Sequence, residues 1–131
     1  MIFVDSNIIL DVWTRSEWSD WSLGKLRNLS SIDRLIIDPI VYAEVSVSFT
    51  LPAKLDMELD LLEVEVQALP RYAAFLAAKA FLLYRRGGGT KSSVLPDFFI
   101  GAHAAVLACP LLTRDTRRYV TYFPSVSLIA P

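Results

Sequence analysis

Cysteine and histidine are almost missing from this 131-residue chain; each occurs once, as Cys109 and His103. A single cysteine excludes an internal disulfide framework, and one thiol with one imidazole excludes a Cys- or His-based zinc centre. Long apolar runs are missing too. The longest stretch free of Asp, Glu, Lys and Arg is Phe98–Thr113, and it contains Pro110 and His103. It falls short of the roughly 18 apolar residues that mark a membrane span. No basic segment precedes an apolar run at the start of the chain, and Asp5 interrupts the first such run, so no signal peptide is expected. These absences lead us to expect a reducing, cytoplasmic setting. Net charge is nearly absent as well, at −1, which argues against a general nucleic-acid coat protein.

Apolar residues, in contrast, make up 53% of the chain, enough to exclude wholesale disorder. The length suits one domain, expected to span residues 1–131, because no linker and no internal repeat divides it. The small net charge conceals an asymmetry. Asp56, Glu58, Asp60, Glu63 and Glu65 form an acidic stretch without a basic residue inside it. Arg85, Arg86, Lys91, Arg114, Arg117 and Arg118 face only Asp97 and Asp115 in the later part of the chain. A locally basic third suits an anionic partner such as nucleic acid, although a solvated charged surface gives the same pattern.

Strand and helix signals alternate. Met1–Val4 reads as a buried strand ending at Asp5, and Ser6 or Asn7 can start a helix through Trp13. Ser16-Glu17 opens a second helix to about Leu29, and Arg34–Ile37 is the second strand. Asp38-Pro39 combines a capping carboxylate with a proline at the first helical position, and starts a helix to about Phe49. Pro52 begins another to about Leu62; Val64–Leu69 is a third strand; Pro70–Arg86, rich in Ala and Leu, is a long helix. Gly87-Gly88-Gly89 breaks the chain ahead of a mobile loop over Thr90–Leu95. Asp97–Ala108 is a helix, with Pro110–Thr113 and Val126–Ile129 as the fourth and fifth strands. Strands separated by helices imply a mainly parallel sheet covered on both faces. Ligands of such sheets bind outside the carboxyl ends of the strands.

Four carboxylates stand at positions that matter under that rule. Asp5 ends the first strand and Asp115 follows the fourth. Glu44 is the only charged residue from Pro39 through Ala53, and Asp97 is the only acid between Glu65 and Asp115. Each has a structural alternative: Asp5 as a helix cap, Asp97 as a partner of its helix dipole, Asp115 as a turn residue. Glu44 resists such a reading, because a lone carboxylate on an apolar helix face costs several kcal/mol unless something neutralises it. Converging carboxylates repel, and a hard divalent cation, Mg²⁺ or Mn²⁺, is the natural compensation for an all-oxygen set. A metal-bound water is a stronger nucleophile and the ion steadies charge on a phosphate, so hydrolysis of a phosphodiester is the expected reaction. Arg114, Arg117 and Arg118, next to Asp115, are placed to grip an anionic backbone.

The segments "IFVDSNIILD", "VYAEV", "LPDFFIGAHA" and "LLTRDTRRYVTYFPSVSLIAP" resemble, in order and at comparable spacing, PIN-domain ribonucleases, above all the VapC-type toxins of prokaryotic toxin–antitoxin pairs. The resemblance covers almost the whole chain. It implies a three-layer α/β/α fold with a central, mainly parallel five-stranded sheet, and a Mg²⁺- or Mn²⁺-dependent endoribonuclease. It also implies a homodimer and a small antitoxin whose segment blocks the acidic pocket. Asp5, Glu44, Asp97 and Asp115 match the family's catalytic, metal-holding acids. Ser6, Asn7 and Thr113 match the polar residues that support them. RNA, rather than DNA, rests on this resemblance.

Other readings compete at particular residues. "GGGTKSS" is similar to a phosphate loop but has Thr90 before its lysine and follows a helix, which leaves Lys91 as an RNA contact on a loop. His103 and Cys109 read as packed interior residues, and Trp13, Trp18 and Trp21 as packing or partner contacts rather than base-stacking platforms. Two alternative functions stay open. One is an aspartate-based phosphotransfer protein with Asp5 as acceptor, against which "VDSN" lacks a second Asp two residues on. The other is a non-catalytic PIN-like binding module.

Overall fold

A computed structural model describes residues 1–131. Its elements, in chain order, are β1 Ile2–Val4, α1 Ser6–Thr14, α2 Ser19–Ser30, β2 Leu35–Ile37, α3 Pro39–Ser46 and α4 Pro52–Leu61. They continue with β3 Val64–Val66, α5 Arg71–Arg86, α6 Pro96–Leu107, β4 Leu111–Leu112, α7 Arg117–Tyr122 and β5 Leu128–Ile129. The strands form one sheet in the order β3-β2-β1-β4-β5, every pairing parallel. The fold is therefore α/β, and the expected mainly parallel sheet is parallel throughout. Phe3, Val4, Ile36, Ile37, Leu111 and Leu112 are fully buried. Such continuous apolar strands are what a parallel sheet covered on both faces requires.

The chain runs from β1 outward to β2 and β3, then returns across the sheet to β4 and β5 on the other side of β1. The reversal leaves a crevice between the carboxyl ends of β1 and β4, where helices from the two directions of winding diverge. Segments leaving those two strands begin with Asp5 and Thr113. Helix α3 packs against both α1 and α6, and α6 packs in turn against α5 and α7.

Several boundaries differ from the sequence reading. Helix α1 starts at Ser6 as expected but runs one residue past Trp13, to Thr14, and of the candidate caps it is Asp5 that serves: its backbone is extended and its side chain accepts the Ser6 N–H. Helix α2 starts at Ser19 rather than Ser16, because the Ser16 hydroxyl is drawn to Asp11 (2.9 Å) and the Ser16 carbonyl closes a turn with Ser19. Helix α3 ends at Ser46, whose hydroxyl bonds back to the Tyr42 carbonyl, and β3 stops at Val66. Pro39, Pro52 and Pro96 each open a helix, whereas Pro70 stands outside α5 as its capping residue and the helix begins at Arg71. Helix α7 has no counterpart in the sequence reading. It is seated by Phe123, which lies so close to Gly101 of α6 that a Cβ there would stand 2.3 Å from the ring. At the start of the Thr90–Leu95 segment the Tyr84 hydroxyl accepts the Thr90 and Lys91 N–H groups.

Candidate metal centre and its surroundings

Asp5 sits at the mouth of the crevice, 4% exposed. Its Oδ1 accepts the Ser6 N–H at 2.7 Å, with the Ser6 hydroxyl at 3.4 Å. Its Oδ2 accepts hydroxyl protons from Thr113 and Tyr119, each at 2.8 Å. Burial pushes the Asp5 carboxyl above its ordinary range, and these four donors pull against that rise. The Asn7 amide donates to the Thr113 hydroxyl (3.3 Å) and accepts the Arg114 N–H (3.2 Å), tying α1 to the segment after β4. Ser6, Asn7 and Thr113 thus form one hydrogen-bonded lattice around Asp5. Tyr119, fully buried, is the member that sequence reading missed. Its only signal was an aromatic hydroxyl four residues beyond Asp115.

Glu44 projects from α3 toward the same crevice. Its carboxyl is pushed up to about 7, first by burial and then by the negative charges of Asp5, Asp97 and Asp38, while the Ser6 hydroxyl draws it back. Glu44 Oε1 is buried without a hydrogen-bond partner. Asp97, in the first turn of α6, is likewise raised by burial and by Asp5. Three acids from β1, α3 and α6 are therefore close enough to feel one another's charge. Asp115 is turned aside: its two oxygens meet Arg117 at 3.0 and 2.9 Å, which holds its carboxyl below the usual range. Asp97 in turn faces Arg118 at 3.4 Å. In this arrangement no three acidic, histidine or cysteine side chains close around one point.

The chemistry of the donor set nevertheless fits a hard divalent cation. All the candidate ligands are carboxylate oxygens, burial and mutual repulsion destabilise their charged forms, and Glu44 offers an orphaned oxygen. Arg118 and Arg117 supply the counter-charges of Asp97 and Asp115 in this structure.

The basic residues divide into two groups. Arg114 forms a two-pronged ion pair with Asp11, which is 3% exposed, and its guanidinium lies 5.6 Å from the Trp18 ring. Burial raises the Asp11 carboxyl, but hydrogen bonds from Arg114, Ser22 and Ser16 outweigh it and hold the group low. Arg114 is thus committed to joining the β4 segment to α1. Arg117 and Arg118 instead line an open groove of about 260 Å³ with Asp115 and Tyr122. Arg118 also stacks over Tyr84, 5.1 Å from the ring centre, and the Lys91 backbone bonds to the hydroxyl of that tyrosine. His103 is fully buried with its Nδ1 2.9 Å from Asp38 Oδ2 and its ring edge-on to Phe3. Cys109 is buried and its thiol is raised by burial, and Trp13 packs edge-on against Phe49. These residues pack, as their sequence context suggests.

Comparison with known proteins supplies the family. The model of the PIN domain matches residues 2–124. The chain belongs to the PIN domain family. No curated protein matches it in sequence. Among solved structures, this PIN domain is similar to VapBC2 from Rickettsia felis bound to a DNA fragment from its promoter. The identity is 18% and the TM-score 0.74, covering 100% of this chain and 99% of that one. It is also similar to VapBC-1 from nontypeable Haemophilus influenzae, at 19% identity and TM-score 0.72, covering 99% and 98%. A toxin–antitoxin complex from Klebsiella pneumoniae matches at 20% identity and TM-score 0.67, covering 96% and 95%. The PIN fold is shared over essentially the full length of all three.

Proposed function

We propose that this PIN domain is a Mg²⁺- or Mn²⁺-dependent endoribonuclease, acting as the toxin of a toxin–antitoxin pair, and that residues 1–131 work as one nuclease unit. The observation that supports the reading is that Asp5, Glu44 and Asp97, carried by three different elements, raise one another's carboxyls by their charge. One buried oxygen of Glu44 also lacks a partner. Asp5, Glu44 and Asp97 would hold the ion, with Asp115 joining once it leaves Arg117. The bound ion would supply Lewis-acid stabilisation of the phosphodiester and a water activated as nucleophile.

The chain's own residues do the rest. Ser6, Asn7 and Thr113 fix the orientation of Asp5 before substrate arrives, so little reorganisation is left for the reaction. Glu44, its carboxyl pushed up by burial and by the charges of Asp5, Asp97 and Asp38, would gain in such an ion the counter-charge that favours its ionised form. Arg117 and Arg118 at the open groove, with Lys91 on the neighbouring loop, grip the phosphates. Arg114 acts through structure, by way of Asp11.

A homodimer and a cognate antitoxin complete the proposal, with the cytoplasm as the site of action. Exposed Tyr72, Phe75, Leu82 and Leu83 on α5, and Val47 and Leu51 around the end of α3, supply apolar area for partners to cover. The Klebsiella pneumoniae relative is a toxin–antitoxin complex. No helix here is long and apolar enough to cross a membrane. End-labelled RNA incubated with the purified chain in Mg²⁺, Mn²⁺ or EDTA tests the reading. Internal cleavage with either metal and none in EDTA is the expected result; RNA left intact in all three overturns it.

A further inference from the structure

We propose that Tyr119 is a positioning residue that fixes which oxygen of Asp5 is offered to the metal; the inference rests on the metal-centre reading above. A carboxylate has about four acceptor sites, two on each oxygen. On Asp5 Oδ2 both are taken, by the Thr113 and Tyr119 hydroxyls at 2.8 Å each. On Oδ1 the one close donor is the Ser6 N–H at 2.7 Å, the Ser6 hydroxyl being more distant at 3.4 Å. The remaining acceptor site is therefore on Oδ1, and Asp5 binds an ion through that single oxygen.

Thr113 alone does not enforce this arrangement. Its hydroxyl also accepts from Asn7 and from the Asp115 N–H, and it lies 3.2 Å from the Asp115 carbonyl, so its one proton has two acceptors in reach. The Tyr119 hydroxyl has Asp5 as its one hydrogen-bond partner. Its ring is locked: Tyr119 is 1% exposed, its carbonyl accepts the Phe123 N–H, and Phe123 lies against Gly101. The short helix α7 thus delivers a rigid donor to the far oxygen of Asp5, 114 residues away in sequence. Partners of this kind typically govern metal affinity or activity by roughly 10–100-fold.

Tyr119→Phe keeps the ring and removes the donor. Mn²⁺ binding to the full chain without RNA, measured by electron paramagnetic resonance, is expected to weaken about tenfold or more. In RNA cleavage kcat is expected to fall with KM unchanged, whereas a purely structural tyrosine would change thermal stability alone. Wild-type Mn²⁺ affinity in folded Tyr119→Phe overturns the assignment when Asp5→Asn abolishes binding in the same assay. A wild-type chain that binds no Mn²⁺ defeats the metal centre itself, and the Tyr119 assignment with it. Should Tyr119→Phe fail to fold, 3-fluorotyrosine at position 119 carries the test. Its ¹⁹F resonance is expected to shift as Mg²⁺ is added, and a resonance unmoved through saturation overturns the proposal.

Discussion

Near the amino ends of the strands, Arg34 meets Glu65 at 2.7 Å and the terminal amine of Met1 meets Asp33 at 2.8 Å, each group in contact with water. At the carboxyl ends, Asp5, Asp38, His103 and Thr113 make their hydrogen bonds in the interior. Both regions hold charged groups in good geometry, but the energetics differ. An exposed pair gives back in attraction roughly what it loses in side-chain freedom, and is worth about 0–1 kcal/mol. A buried carboxylate loses its hydration and must be compensated. The raised carboxyls of Asp5, Glu44 and Asp97 record compensation that the polypeptide leaves incomplete. The opposite end has a cavity of about 260 Å³ as well, lined by Ala104, Ala108, Cys109, Pro110 and Val126 among others, with no carboxylate among its walls. Cavity size does not separate the two ends; unsatisfied charge does.

The contrast breaks first, and most severely, at Asp5. Asp5→Ala removes the residue on which the lattice converges, and metal-supported cleavage of RNA is expected to fall at least about 100-fold, several kcal/mol of transition-state stabilisation. Single-turnover cleavage assays with saturating Mn²⁺ check this, and near wild-type rates would place the reacting centre elsewhere.

The two kinds of arginine offer the next test. Arg114→Ala strands the buried Asp11 carboxylate, with an expected loss of about 2–3 kcal/mol in urea unfolding. Arg117 is 88% exposed, so Arg117→Ala should leave unfolding nearly unchanged. It should instead lower the salt dependence of RNA binding by about one counterion. Equal effects of the two substitutions on stability would erase the distinction between them.

Glu44 sharpens the comparison through pH. Its folded value, about 7, lies above its ordinary 4.5. Between those values the folded chain holds a proton that the unfolded chain has released, so stability falls as pH rises through that window. In EDTA, Glu44→Gln is expected to be more stable than wild type above neutral pH by about 1–2 kcal/mol, a figure reduced for partial solvent screening. The advantage should shrink toward zero below pH 4.5. A pH-independent difference in denaturation midpoint would contradict it. The smallest effect belongs to the amino end: Arg34→Ala should shift stability by less than about 0.5 kcal/mol and leave cleavage unchanged.

Much of the fold was legible because local chemistry decides it. Pro39, Pro52 and Pro96 announce helix starts, and the Asp38 carboxylate accepts the Ile40 and Val41 N–H groups as its position before Pro39 suggests. Glu44 was conspicuous because nothing charged surrounds it in sequence. Arg114 was legible as basic but not as spent, since Asp11 lies 103 residues away. The dual role of Asp5 was also hidden. Cap and candidate ligand had been alternatives, yet one carboxylate has oxygens enough for both.

By itself the sequence determined the order of the strands and of every helix but α7, a mainly parallel sheet, and a short list of acids at element ends, because caps, prolines and apolar runs act over a few residues. Only the tertiary structure decided which of those acids feel one another's charge, which arginine is paired to a buried acid, and that Tyr119 reaches Asp5. Those outcomes depend on the winding of the chain about β1 and on the close approach of Phe123 to Gly101, and contacts between residues a hundred positions apart leave no periodic trace in the chain.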